Sequence, residues 1–212
     1  MVLAAYSYLI DRPSPRSTLP GGGDELVVSA WDGLAGGIDL DGEILIYDAV
    51  GAHCALSLAD LLSSQGKQIT VVTPDRHIGR TLGGQNSPVY LRNLYNQGVR
   101  LLTDRSLSSV RKEGNRLVAT CRHAFARSHE EISADHVIVD LGTKSLNDVF
   151  ADLVAGSRNL GEYDHEALVA LQPQPMTANP DGTYQLFRIG DALSARDIHA
   201  AILDANRLCR AL

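Results

Sequence analysis

The sequence lacks the long apolar runs and the basic stripes that mark membrane and nucleic-acid proteins. No stretch approaches the roughly 18 apolar residues that a membrane span requires. Its 19 Lys and Arg residues are scattered among 25 Asp and Glu residues, for a net charge of −6. We therefore expect neither membrane insertion nor a nucleic-acid partner. With 44% hydrophobic residues in 212, the chain can build a substantial core.

Cysteine is also scarce, and this excludes several kinds of site. The three cysteines, at 54, 121 and 209, are too far apart for a C-x-x-C metal motif, and their odd number argues against a disulfide framework. They indicate reduced, buried thiols in a cytoplasmic protein. Cys54, just inside a predicted helix, is the candidate for a reactive thiol, although buried helical cysteines are commoner.

Motifs for metal binding or nucleophilic catalysis are missing as well. No two of the seven histidines have i, i+4 spacing, and G-x-S-x-G, P-loop and H-E-x-x-H motifs do not occur. The sequence therefore predicts no metal site, and it identifies no catalytic residue.

What is present, from residue 43 to 107, is an alternation of strands and helices. The apolar run GEILIYDAV predicts a strand buried on both faces. Residues 52–65 have helical spacing and end before Gly66, and the second helix has Ser87 as its N-cap and Pro88 in its first turn. The strands QITVVTP and RLLTD follow these helices. This order predicts a parallel, doubly wound sheet.

The flanking segments have a different texture. Residues 11–24 contain three prolines and three glycines and predict a linker, and Ser29 should cap a short helix. After Leu107, a hairpin around Gly114 and a strand pair within residues 130–142 predict a β-meander on the wound core. A short helix, an irregular region at 156–182, a last strand and a helix at 194–211 complete the chain. The predicted fold is α/β, a Rossmann-like three-layer sandwich of parallel sheet, helices and β-meander.

Four segments together resemble a known family. They are LPGGGDELVVSAWDGLAG, LIYDAVGAHCALSLADLLSSQGKQITVVTPDRHIG, YLRNLYNQGVRLLTD and FRIGDALSARDIHAAILDANRLC. They resemble the C-terminal, glutathione reductase-like NAD(P)/FAD region of the trimethylamine dehydrogenase and 2,4-dienoyl-CoA reductase group of NADH:flavin oxidoreductases. The resemblance implies an extended first segment (1–24), an NAD-like Rossmann domain (25–160), and an irregular segment with the closing strand and helix of a split flavin-type domain (161–212).

The resemblance also implies what this chain works with. Such enzymes begin with an FMN-binding barrel, a cysteine run for an iron-sulfur cluster and the first part of a flavin-type domain, and none of these precedes Met1. We therefore expect a separate subunit, a degenerate relative or a part of a longer enzyme. In each case a flavin- and iron-sulfur-bearing partner or parent region would complete it, and the chain would not turn over alone.

The turn after the first wound strand departs from the usual nucleotide fingerprint. It reads DAVGAHCA, from Asp48 to Ala55, where such sites have G-x-G-x-x-G. Aligned on the helix, Val50 takes the first glycine position; aligned on the strand, Asp48 takes it. A carboxylate about 4 Å from a phosphate costs roughly 4 kcal/mol at an effective dielectric near 20, whereas a helix terminus returns only about 0.3–1 kcal/mol.

Two interpretations of this turn stay open. Asp48 can accept hydrogen bonds from the amides at the start of the helix, so that the protein fills its own anion site. Alternatively, Gly51 and the amides of Ala52 and His53 form a shifted phosphate cradle, with the His53 side chain beside the phosphate.

Two further places carry candidate cofactor-binding residues. After the second strand, Thr73 stands where a ribose-binding carboxylate is expected; Asp75 favours NAD and Arg76 favours a 2′-phosphate, so neither cofactor is preferred, and the segment is also compatible with a turn carrying a solvated charge pair. The resemblance places Gly190 and Asp191 near the ribityl and phosphate groups of FAD. As the alternative, Asp191 caps the helix at 194–211.

The sequence thus predicts a component of a flavin-linked NAD(P)H or amine/enoyl oxidoreductase. Its degenerate dinucleotide domain would dock on a flavin-bearing region and bind NAD(P)H or ADP, and FAD only if a partner completes that site. The alternative is a structural or assembly module that kept the fold and lost the nucleotide.

Overall fold

The computed structural model describes residues 2–4, 19 and 21–210. The chain divides into two compact units, one of residues 12–142 and one of residues 1–11 and 143–212. Most of the segment predicted as a linker at 11–24 lies outside the described residues.

The described residues form ten strands and six α-helices, numbered in chain order. The strands are β1 (Val2–Ala4), β2 (Val28–Ser29), β3 (Glu43–Asp48), β4 (Gln68–Val72), β5 (Arg100–Leu102), β6 (Arg105–Glu113), β7 (Arg116–His123), β8 (His129–Ala134), β9 (His136–Asp140) and β10 (Leu186–Arg188). The helices are α1 (Ala30–Ala35), α2 (His53–Ser64), α3 (Ser87–Asn96), α4 (Asp148–Leu153), α5 (His165–Val169) and α6 (Ile198–Arg210).

A parallel sheet forms the centre of the first unit, with strand order β2-β9-β3-β4-β5. The predicted alternation of strands and helices is confirmed, because α2 connects β3 to β4 and α3 lies between β4 and β5. In β3 every residue after Glu43 is buried, as expected for a parallel strand covered on both faces.

Successive residues of the central strands face different layers. Ile44 and Ile46 of β3 pack with apolar residues of α1, α2 and α3, whereas Leu45 and Tyr47 pack with those of β6, β7 and β8. This alternation is the period of two of a strand. The unit is therefore the predicted three-layer sandwich of helices, parallel sheet and antiparallel sheet.

The third layer is the antiparallel sheet β6-β7-β8. Its first hairpin turns at Gly114, as predicted. The expected strand pair within 130–142 is wrong in its pairing: β8 pairs with β7, whereas β9 enters the parallel sheet between β2 and β3. The pattern gave both strands correctly, but their partners are distant in sequence.

The predicted helix boundaries hold near the nucleotide-like turn and shift elsewhere. Ser29 caps α1 by accepting a hydrogen bond from the Trp31 N–H, and α2 spans His53–Ser64 with Gly66 just beyond its end. Ser87 is the first residue of α3 rather than its cap, because Asn86 takes the N-cap position without a side-chain hydrogen bond.

The second unit contains β1 and β10, which pair in parallel. Its core contains Phe187, Ile189 and Leu208, with Tyr163 packed against them. The region predicted as irregular contains the short helix α5. The predicted helix start at residue 194 is wrong: α6 begins at Ile198, and the Asp197 side chain accepts a hydrogen bond from the Ala200 N–H.

Side chains cover one edge of β10. Asn159 accepts from the Leu186 N–H and donates to the Leu186 carbonyl, both at 2.8 Å. The Tyr163 hydroxyl accepts from the Arg188 N–H at 2.9 Å and donates to the Arg188 carbonyl. The alternate backbone groups of this edge are therefore satisfied without a further strand.

Candidate functional site

The carboxyl edge of the parallel sheet brings three loops together. Strand β3 ends at Asp48, β4 at Val72 and β9 at Asp140, and Tyr47 pairs with Val72 while Asp48 pairs with Asp140. Helix α2 starts at His53, five residues after the end of β3. In wound sheets, ligands bind at this edge where the chain leaves the central strand in opposite directions. Strand β3 is such a point, because β4 lies on one side and β9 on the other.

Gly51 sets the shape of the turn between β3 and α2. Its φ is +70°, a conformation that side-chain-bearing residues rarely adopt. Its carbonyl accepts from the Thr81 N–H at 2.9 Å and from Thr81 Oγ1 at 2.8 Å. A Cβ on Gly51 would lie 3.0 Å from the Arg80 backbone nitrogen. The loop after β4 therefore packs directly against this glycine.

Asp48 fills this turn from within the protein. Its side chain is fully buried, and Oδ1 accepts from the N–H groups of Val50 at 3.1 Å and Gly51 at 2.7 Å. Oδ2 is buried and has no partner among the described residues. The Asp48 carboxylate therefore accepts hydrogen bonds from the amides of the turn. The first interpretation of the sequence predicts instead that it accepts them from the amides at the start of the helix.

Burial raises the pKa of Asp48 to about 6, against the lowering effect of the Gly51 amide and with a further rise from Asp140. Asp140 is also buried; Oδ1 accepts from the Gly142 N–H at 3.2 Å. Burial raises the pKa of Asp140 too, with the amides of Gly142 and Ala55 opposing the rise.

Sequence reasoning missed Asp140. The signal was present, because Asp140 ends the apolar strand HVIVD as Asp48 ends EILIYD. Recognising the pair requires knowing that β9 lies beside β3.

The first turn of α2 has no cap from its own N-cap residue, although the Asp140 carboxylate binds the Ala55 amide. Ala52 is the N-cap residue, with extended backbone angles and no capping hydrogen bond. The N-terminus of a helix carries about half a positive charge and favours anions. His53 is exposed, and its Nδ1 lies 3.2 Å from the Tyr90 hydroxyl, which contacts Ser57 Oγ at 2.8 Å.

Cys54, in the same turn, is not a thiolate. Burial raises its pKa to about 12, and the negative charges of Asp140 and Asp48 add to the rise. The helix N-terminus therefore does not activate this cysteine. The cysteines at 54, 121 and 209 are all free, but the prediction that they are buried is wrong for Cys209, which is exposed; Cys121 is buried and Cys54 half-buried.

The polar side chains after β4 bind to one another. Thr73 is buried, and its Oγ1 accepts from the Asp75 N–H at 3.2 Å. The Asp75 carboxylate accepts from Arg80 Nε at 2.7 Å. The segment thus carries a charge pair, between Asp75 and Arg80.

Arg76, the candidate for a 2′-phosphate, has two contacts of its own. Its guanidinium lies 4.8 Å from the centre of the Phe125 ring and 3.7 Å, at Nε, from Asp104 Oδ1. The side chain is 68% exposed, so it remains accessible to a ligand.

Gly190 and Asp191 lie in the second unit. Gly190 has a φ of +60° and donates to Asp204 Oδ2 at 3.2 Å. Asp191 Oδ1 accepts from the Arg196 N–H at 3.1 Å, two residues before α6 begins. Asp191 therefore closes the turn before the helix, whereas the alternative interpretation made it the helix cap.

The part of the chain that the structure describes contains no group of three or more His, Cys, Asp or Glu side chains that could hold a metal ion. Within the same residues, no helix is long and apolar enough to cross a membrane.

Comparison with known proteins identifies what this chain resembles. Residues 51–123 match the family described as pyridine nucleotide-disulphide oxidoreductase. A probable N-methylproline demethylase of Rhizobium meliloti (strain 1021) is 38% identical over 92% of this chain and 29% of its own length. An N,N-dimethylglycine/sarcosine dehydrogenase of Chromohalobacter salexigens is 38% identical over 87% of this chain and 27% of its own.

Solved structures agree on the fold. A histamine dehydrogenase from Rhizobium sp. 4-9 superimposes with a TM-score of 0.65 at 17% identity, over 98% of this chain and 28% of that one. A 6-hydroxypseudooxynicotine amine oxidase from Pseudomonas geniculata N1 superimposes with a TM-score of 0.68 at 20% identity. The match covers 93% of this chain and 26% of that one. The chain thus spans less than a third of the length of these relatives and matches their NAD(P)/FAD-like region.

Proposed function

Because this chain carries a domain of the pyridine nucleotide-disulphide oxidoreductase family, we propose that it is the nucleotide-binding part of a larger flavin-linked oxidoreductase. It would dock on a flavin-bearing partner or parent region and bind a phosphate-containing nucleotide weakly. The observation that carries the proposal is the first turn of α2, whose N-cap residue Ala52 makes no capping hydrogen bond and whose first amides stand at the carboxyl edge of the sheet, where β3 separates β4 from β9.

The residues of this edge fit one phosphate better than a full pyrophosphate. The amides of Val50 and Gly51 already donate to Asp48. They are therefore not free to bind a ligand phosphate. The amides of Ala52 and His53 remain at the start of α2, with the His53 side chain exposed beside them. NAD(P)H or ADP would therefore be held through one phosphate at this turn.

The other candidate residues have secondary roles in this proposal. Arg76, exposed on the rim after β4, would contact a second phosphate or a ribose 2′-phosphate. Thr73, which is buried, would shape the pocket through the Asp75 loop rather than touch the nucleotide. Gly190 and Asp191 would approach the ribityl chain of FAD only where a flavin-bearing region supplies the ADP half of that site. A bound nicotinamide or flavin supplies the hydride chemistry, and the protein supplies its orientation.

We further propose an amine as the substrate of the whole enzyme. The support is the similarity to proteins named for N-methylproline demethylation and for dehydrogenation of N,N-dimethylglycine and sarcosine.

Residues 25–142 would form the NAD-like domain. Residues 143–212, in the second unit, would form the closing part of a flavin-type domain. We place this boundary at 142 because the compact units divide there. The chain alone would not turn over substrate.

A ligand panel tests the nucleotide site. We expect NADH, NADPH, ADP or FAD to raise the unfolding temperature of the chain, because a ligand at about 100 times its Kd adds about 2.7 kcal/mol of stability. Isothermal titration calorimetry gives the affinity. Ala52→Asp should abolish the effect without loss of fold, since it places a negative charge beside the amides of Ala52 and His53 and the new carboxylate can cap the first turn of α2.

Asn147→Asp is the matched control, because it places the same charge at the N-cap of α4 in the second unit. It should leave nucleotide binding unchanged. Silence of the folded wild-type chain towards all four ligands would reject the nucleotide site. It would favour the second candidate, a scaffold whose anion site Asp48 occupies. The DNA flanking the coding sequence tests the parent enzyme: genes for a flavin-binding barrel and a cysteine cluster are expected there.

A further inference from the structure

Two carboxylates stand side by side beneath the start of α2. Asp48 and Asp140 are register partners on the adjacent parallel strands β3 and β9, and parallel neighbours lie about 4.8 Å apart. Their residues are 0% and 4% exposed. Two like charges buried this close disfavour double ionisation.

The hydrogen bonds leave this pair short of donors. The Asp48 carboxylate has two amide donors, both at Oδ1, and the Asp140 carboxylate has the amides of Gly142 and Ala55, but Asp48 Oδ2 has no donor among the described residues. A buried carboxylate oxygen without a donor is costly in its ionised form. A proton on the pair removes one of the two buried charges.

The surroundings offer no cation to replace that proton. From α2, the nearby titratable groups are Cys54, which is neutral, and His53, which is exposed at the mouth. From the loop after β4, Asp75 adds negative charge and is itself paired with Arg80. No ion pair to Asp48 or Asp140 occurs within residues 21–210.

We propose that Asp48 and Asp140 hold one proton between them, and that a phosphate bound at the first turn of α2 strengthens the hold of the pair on this proton. The proposal rests on the proposed function for its phosphate, but the shared proton is a property of the free protein. A doubly ionised pair repels the phosphate, whereas a singly protonated pair repels it less. By linkage, nucleotide binding then takes up protons, and affinity rises as pH falls.

The size of the effect follows from the titration of Asp48. With its pKa at about 6, the protonated fraction at pH 5.5 exceeds that at pH 7.5 by roughly 25-fold, and this ratio is the upper limit of the gain in apparent affinity, reached if the doubly ionised pair does not bind. NAD⁺ is the appropriate probe, because its phosphodiester groups do not titrate in this range.

Carboxyl ¹³C NMR of the free chain between pH 4 and 8 tests the shared proton without any ligand. We expect two coupled titrations for Asp48 and Asp140, at least one of them well above the ordinary range, and a lowered midpoint for Asp48 in Asp140→Asn. Independent titration of both groups near the ordinary value of 3.8 would overturn the proposal.

Calorimetry with NAD⁺ at pH 5.5 and 7.5, in two buffers of different ionisation enthalpy, tests the coupling. We expect tighter binding at pH 5.5, by up to roughly 25-fold, and net proton uptake near pH 7. Asp48→Asn should bind with little pH dependence, and the exposed control Asp32→Asn should behave like wild type. Binding with the same affinity at both pH values would overturn the coupling and leave the nucleotide site intact. Absence of binding at both pH values would instead reject the proposed function, and the coupling with it. The NMR titration of the free chain would still test whether the pair shares a proton.

Discussion

Replacing Asp48 with asparagine should stabilise this protein at neutral pH. Asparagine keeps an Oδ1 acceptor for the amides of Val50 and Gly51 and removes a buried charge. The folded-state pKa of Asp48 is raised from 3.8 to about 6. The folded state thus binds the proton more tightly than the unfolded state, and stability falls as pH rises from about 3.8 to about 6.

The magnitude follows from that pKa difference. Each unit is worth 1.36 kcal/mol, so the ionised Asp48 costs about 3 kcal/mol at pH 7.5 and only about 1 kcal/mol at pH 4.5. Asp48→Asn should therefore exceed wild type in free energy of unfolding by about 3 kcal/mol at pH 7.5. The gain should shrink to about a third of that at pH 4.5.

Urea unfolding at the two pH values measures this difference directly. The slope of free energy against denaturant should be unchanged by the substitution, because the folded structure is retained. Asp32→Asn, exposed in the first turn of α1, serves as the control and should lower either value by no more than about 0.3–1 kcal/mol, the contribution of a negative charge at a helix N-terminus. A variant that is less stable than wild type at pH 7.5, or a gain equal at both pH values, would refute the reasoning.

Three further outcomes follow from the same turn. Ala52→Asn should raise the free energy of unfolding by about 1 kcal/mol, because it supplies the missing N-cap of α2, and thermal unfolding should move up by about 2–4 °C; no shift would contradict the cap geometry. Gly51→Ala should lower stability by about 1–3 kcal/mol, measured in urea, because its φ is +70° and a Cβ would lie 3.0 Å from the Arg80 nitrogen; an unchanged midpoint would contradict this. With a thiol reagent at pH 8, Cys209, which is exposed, should be modified within the native protein while Cys54, which is half-buried and has a raised pKa, is protected; mass spectrometry of the labelled peptides distinguishes the two, and early labelling of Cys54 would contradict its raised pKa.

The sequence was sufficient for the wound core because its signals are local. The buried run of β3, the helical spacing of α2 and the turn at Gly114 all act within a few residues of chain, and each was found where predicted. The position of β9 was not predictable in this way. Its apolar residues indicate a strand, but its partners β2 and β3 lie about 90 or more residues away, and no local pattern records that pairing.

The same limit explains what was missed at the site. The departure of the turn from the glycine fingerprint was visible at Asp48, but its partner Asp140 depends on the placement of β9. Gly51 belongs to the shifted cradle that the sequence predicts as one interpretation; its restraint by Thr81 depends on the fold of the loop after β4. The start of α6 was misplaced because Asp191 accepts a hydrogen bond from the Arg196 amide and holds 194–196 in a turn. This contact prevents the helix from starting where its sequence pattern begins.

The covered edge of β10 determines how its small sheet can grow. An open strand edge is a template for edge-to-edge aggregation, and proteins blunt such edges in several ways. Here the amide of Asn159 and the hydroxyl of Tyr163 stand in for a neighbouring strand along Leu186 and Arg188. Further strands from a longer polypeptide can therefore extend this sheet past β1 only, and the β10 side is sealed against self-association.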